Sequence, residues 1–126
     1  MKNNFGNPKS GYNNIYPDFS FKNYQISEYF KEIDISNKKE FFNFFNNIQR
    51  FSSKTWEEIK KNKKQFHFHE IEFDKGIHSK LKIPNDIELI QFKLPSDKES
   101  RIVGYFDSDN IFNIVIYDYR HQIYPR

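Results

Sequence analysis

The chain has 126 residues, a formal charge of +3 and a pI near 9.0, with one Met and no Cys. That length suits one domain with one core, and the lack of Cys excludes disulfides and thiolate metal sites. The longest apolar run, 114–117, is far too short to span a bilayer, and the first twenty residues lack the apolar stretch of a signal peptide, so the expectation is a soluble cytoplasmic chain with no membrane contact. The basic excess is mild and leans toward anionic partners.

Residues 1–17 carry Gly6, Pro8, Gly11 and Pro17 among several Asn. They read as a flexible arm ahead of one domain over 18–126. "FSFKNYQI" (19–26) alternates weakly and reads as a first strand. In "NKKEFFNFFNNIQRF", Phe41, Phe42, Phe44, Phe45, Ile48 and Phe51 recur at helical spacing. Phe41, Phe44, Phe45 and Ile48 are the expected core, and Phe45→Ala is expected to cost about 3–5 kcal/mol. Asn37 with Glu40 resembles a capping box, and Thr55 with Glu58 starts a second helix over 56–64, with Trp56 and Ile59 on one face. A two-helix hairpin across 37–64 follows.

"QFHFHEIEF" (65–73) alternates with period two, which in a strand puts His67, His69, Ile71 and Phe73 on one face. A turn follows around Gly76, and Pro84 and Asn85 break the chain again. From residue 87 the pattern is β: strands at 87–94, 101–106 and 111–119, joined by 95–100 and the tight turn "DSDN". The expected fold is α+β: an antiparallel sheet of about four strands with a two-helix hairpin packed on one face.

If the last strand runs unbroken to residue 121, Ile111, Asn113, Val115, Tyr117, Tyr119 and His121 share a face, and Asp118 and Arg120 lie on the other. Arg101, Val103 and Tyr105 share a face in the preceding strand, as do Gln91 and Lys93 before it. A sheet surface with Arg, Lys, Tyr and His at one end suits an extended anionic ligand; solvated strand ends explain it equally. Cleavage of RNA by 2′-hydroxyl attack needs a base, an acid and cations for the phosphate. His67, His69, Lys93, Arg101, His121 and Tyr124 supply these types without metal. The H-x-H pair 67/69 also has a spacing that zinc sites use, with His121, Glu70 or Asp118 to complete a set. The chain has no Gly-rich phosphate loop, no G-x-S-x-G and no H-E-x-x-H.

"RIVGYFDSDNIFNIVIYDYRHQIYP" (101–125) resembles the closing hairpin of the RelE/YoeB-type toxins, small basic ribonucleases of the barnase-like and RelE-like fold group. The matching positions are Arg101, the turn 107–110, the strand 111–117, and Arg120, His121 and Tyr124. Residues 55–125 also resemble a group of uncharacterised small bacterial proteins, through Trp56, His67, His69, Arg101, Gly104, Asp118, His121, Tyr124 and Pro125. The resemblance implies a RelE-like fold and a metal-independent endoribonuclease that cleaves mRNA, on the ribosome or free of it, needs no cofactor and is held by a cognate antitoxin protein. Arg101 then neutralises the phosphate, His121 exchanges protons with His67 or His69, and Tyr124 positions the substrate. Lys93, Tyr117, Tyr119 and Arg120 bind it, and Asp118 orients a His. The chain departs from that family in its N-terminal arm, in its long 65–86 connection and in lacking counterparts of the family's phosphate-side lysines. The alternative is a non-enzymatic protein of a mobile element that uses the same basic face to hold nucleic acid or a protein partner.

Overall fold

The computed structural model describes residues 14–24, 38–72, 74–93 and 100–118. Its elements run β1 (Phe19–Ser20), α1 (Lys38–Ser52), α2 (Trp56–Lys61), α3 (Lys63–Phe66), β2 (His69–Glu70), α4 (Lys75–Lys80), β3 (Ile90–Lys93), β4 (Arg101–Phe106) and β5 (Phe112–Asp118). The strands form one sheet in the order β1-β5-β4-β3-β2.

This corrects the expected four-stranded antiparallel RelE-like sheet. The sheet has five strands and is mixed, because β1 runs parallel to β5, with Phe19 opposite Phe112. A backbone bond from Phe112 N to Asp18 O, 2.9 Å, begins that pairing. The other pairs, β2–β3, β3–β4 and β4–β5, are antiparallel. The helical part is also more broken than a two-helix hairpin. Asn62 accepts a bond from Gln65 N and caps a separate short α3, and Asp74 caps α4 inside the stretch expected to be strand and turn.

Capping explains where α2 begins. The Thr55 hydroxyl accepts from Glu58 N at 3.3 Å, and the Glu58 carboxylate accepts from Thr55 N at 3.0 Å. That pairing with the Thr55 backbone amide holds Glu58 below the usual carboxylate range. The cap proposed at Asn37 lies outside the described residues, as does the Phe41 side chain.

Each face of the sheet carries its own core. On one face α1–α3 bring Phe44, Phe51, Trp56, Ile59 and Phe66 against Ile90, Phe92, Ile102, Phe112, Ile114 and Tyr117. Trp56 is fully buried at the centre, edge-on to Phe106 at 4.8 Å and to Phe19 at 5.9 Å. On the other face Leu81, Ile83, Ile87 and Leu89 cover Val103, Tyr105, Val115 and Ile116.

The register of β4 on β5 contains one irregularity. Val103 faces Ile116 but Gly104 faces Ile114, so Val115 is an extra residue, a β-bulge. A Cβ on Gly104 would collide with the Asn113 carbonyl oxygen and sit 2.7 Å from the Phe112 ring, so only glycine allows this close approach. The bulge overturns the expectation of one face running from Ile111 to His121. Phe112, Ile114 and Tyr117 enter the helix-side core, while Val115 and Ile116 enter the other.

The buried stripe of α1 also differs from the expected one. Phe44, Asn47 and Phe51 are buried and Ile48 is half-buried, whereas Phe45 is 58% exposed and Phe42 68% exposed. At about 100° per residue, Phe45 lies roughly 110° from the centre of the 44/47/48/51 stripe. Phe51 packs on Phe92 at 4.8 Å and Phe66 at 5.1 Å. Phe51→Ala is therefore predicted to lower unfolding stability by about 3–5 kcal/mol, and Phe45→Ala by less than about 1 kcal/mol. Urea melts of the two variants check the helix face, and equal losses would show the stripe to be drawn wrongly.

Candidate nucleic-acid interface

Four of the sequence-predicted site residues come together on the face of the sheet opposite the helices α1–α3. Lys93 in β3 faces Arg101 in β4, which faces Asp118 in β5, forming one row across three strands. One step along β3, Gln91 faces His69 in β2. Arg101 is 8% exposed and Asp118 fully buried, and the register sets the two residues opposite each other on neighbouring strands. The Arg101 guanidinium also donates to the Ser100 carbonyl oxygen at 3.0 Å.

Tyr117 does not join them. The bulge turns it to the helix side, where it is fully buried 4.7 Å from the Phe44 ring and donates its hydroxyl to Ser100 Oγ at 3.0 Å. Its expected place on a ligand-facing surface is therefore corrected. Tyr119, Arg120, His121 and Tyr124 lie outside the described residues.

His67 and His69 are not alternating residues of one strand as expected. His67 is the C-cap of α3 in the left-handed conformation, φ 47°, and is exposed; β2 begins only at His69. The left-handed cap turns the chain between the two residues. Both histidines nonetheless line one concavity of about 510 Å³, together with Lys63, Lys64 and Phe68. The Phe68 ring stacks on Phe92, 6.1 Å away and 22° from parallel, and Lys60 Nζ stands 5.6 Å from its centroid. The result is a half-buried aromatic floor with exposed lysines on its rim.

His69 is oriented by its neighbours. Its Nδ1 stands 2.9 Å from the Glu70 carbonyl oxygen and its Nε2 3.4 Å from Gln91 Nε2. A neutral ring satisfies both only if Nδ1–H donates to the carbonyl and Nε2 accepts from the amide. Gln91 is completely buried, and its Oε1 then has no partner. Gln91 enters the sequence reading as the residue sharing a strand face with Lys93; Lys63 and Lys64 belong to the basic run "KKNKKQFHFH".

A second hollow of about 390 Å³, at the C-terminal end of β2, is acidic. Glu70, Glu72, Asp86 and Glu88 line it with His78. Burial, then the hydrogen bond and charge of Glu70, push the Glu88 carboxyl up to about 7, with Lys60 opposing. Burial lowers Lys60, with Glu70 and Glu88 opposing. Elsewhere, burial raises Tyr105, whose hydroxyl accepts from Asn23 Nδ2 at 2.6 Å. Among the described residues no group of three or more His, Asp or Glu side chains is placed to hold a metal ion, and no helix is long and apolar enough to cross a membrane.

Comparison with protein-family profiles, with curated proteins and with solved structures finds no match. Geometry alone therefore carries the functional reading.

Because Glu88 holds its proton up to about pH 7 when folded, against 4.5 as the ordinary value, the folded chain binds more protons than the unfolded one between those limits. Stability should fall as pH rises through that window and level off above it. Glu88→Gln should flatten this part of the profile. Thermal melts of wild type and variant at pH steps across the window check it, and parallel profiles would contradict the shared proton.

Proposed function

We propose that the chain binds single-stranded RNA at the concavity formed by Lys63, Lys64, His67, Phe68 and His69. One observation carries the reading: two lysines and two histidines surround a single aromatic ring in one hollow. Nucleic-acid-binding surfaces that track a single strand pair cations for the phosphates with aromatic rings for the bases. Lys93, half-buried in β3, lies on the same sheet face as His69 and extends the basic surface beyond the hollow. The net charge of +3 agrees in sign.

Filter binding of a short unstructured RNA over a salt series tests this. Lys63→Glu with Lys64→Glu should weaken binding at least about tenfold and reduce the log–log salt slope by about 1.4, since each single-strand phosphate contact contributes about 0.7. The control pair Lys75→Glu with Lys82→Glu, equal in charge but away from the hollow, should change little. Equal losses in both pairs would mean bulk attraction, and absence of binding at low salt would end the proposal.

Cleavage of that RNA is the second reading, favoured by the two imidazoles in the same hollow. It is the endoribonuclease toxin activity in its metal-independent form: one imidazole takes the 2′-hydroxyl proton, the other protonates the leaving 5′-oxygen, and lysine balances the phosphate charge. His67→Ala and His69→Ala should each slow cleavage by about 10²–10⁴-fold, far more than they weaken RNA binding, and relieve growth inhibition on induced expression. RNA that stays intact with wild-type protein, both with and without ribosomes, leaves binding alone.

A further inference from the structure

The Phe68 ring in the basic hollow is covered on both faces. Phe92 stacks on it at 6.1 Å, 22° from parallel, and Trp56 leans on it at 6.0 Å. Both are completely buried, so they take the inner side of the ring. Lys60 Nζ stands over the same ring, 5.6 Å from its centroid. An ammonium does not lie between core rings without partners, so it takes the outer side. Glu70 in β2 and Glu88 ahead of β3 favour its charge there. Lys60 is half-buried on the last turn of α2, and the exposed Lys63 and Lys64 follow it on α3.

We propose that Lys60 is a placeholder for a nucleobase: it covers the outer face of Phe68 in the free chain, and a base of bound RNA displaces it and stacks on the ring. The inference rests on the RNA reading of the hollow. A base and the ammonium need the same space over the ring, so the two arrangements exclude one another. The exchange favours the base, because a base stacked on an aromatic ring is held more strongly than a cation over a half-exposed one. The displaced ammonium finds a new partner. Lys63 and Lys64 line the hollow and meet the phosphates, and Lys60 turns toward the same backbone. Until RNA arrives, the ammonium keeps the outer face of the ring from water. The device also sorts ligands. A polyanion without bases meets the exposed lysines but has nothing to stack, so Lys60 keeps its place over the ring.

The test follows the lysine side chains of the full chain, labelled with ¹³C and ¹⁵N. Protons held over an aromatic face are shielded by its ring current. In the free protein the Lys60 Hε signal, assigned by its loss in Lys60→Arg, should therefore lie upfield of the ordinary lysine position. A short unstructured oligouridylate should return it to that position while the Lys63 and Lys64 amides shift. Inorganic tripolyphosphate should shift the same amides and leave the Lys60 signal upfield. A free-protein signal at the ordinary position overturns the placeholder without any ligand. So does RNA that moves the Lys63 and Lys64 amides but leaves Lys60 upfield, and so does tripolyphosphate that releases Lys60 as fully as RNA. RNA that moves neither the amides nor Lys60 ends the binding reading itself, and the placeholder with it.

Discussion

Val115 is one residue more in β5 than β4 has opposite it, and that excess decides which side chains share a face. Without it, a strand with strict period two would present Asn113, Val115 and Tyr117 together. With it, Asn113 and Ile116 keep to one face while Tyr117 crosses to the other, filling the core beside Phe44. Gly104 makes the bulge possible, because any Cβ there would strike the backbone of the neighbouring strand. The alignment of Arg101 with Asp118 also follows from this register, since it holds only on the far side of the bulge.

The placement of charge follows from the two cores. With apolar layers on both faces, polar groups concentrate where the layers end: the Lys93–Arg101–Asp118 row at one end of the three strands, and the rim beyond β2. β2 is only two residues long and forms the edge of the sheet, flanked by a basic hollow and an acidic one. Lys60 links the two, standing over the Phe68 ring while interacting with Glu70 and Glu88. A ligand phosphate on the basic side and a change of charge on the acidic side therefore act on neighbouring groups.

The parts of the fold readable in the sequence are those set by local chemistry. The β4–β5 hairpin is one: the DSDN turn closes with Asp107 Oδ1 accepting from Asp109 N and Ile111 N, and Asn110 takes the positive φ of 63°. The Thr55–Glu58 box is another. The α1 face was ambiguous because its Phe residues outnumber one helical stripe, and only tertiary contact with Phe92 and Phe66 selects Phe51 over Phe45. The weak alternation of 19–26 marks β1, but neither its two-residue length nor its parallel pairing has a local signal, since both come from a distant partner. In 65–73 the alternating pattern was real, but Asn62 and the left-handed His67 end a helical turn inside it, so the two histidines meet around a bend. His78 gave no sign of its placement: it is buried against two backbone carbonyls, one of them nine residues away.

RNA binding in the hollow beside β2 remains a proposal. Titrating ¹⁵N-labelled protein with a short unstructured RNA and following each amide tests it most directly. RNA in the hollow should shift amides chiefly at Lys63, Lys64, His67, Phe68 and His69, more weakly along Gln91 and Lys93, and not at Asp86 or Glu88. Shifts confined to other surfaces, or none at low salt, would contradict it.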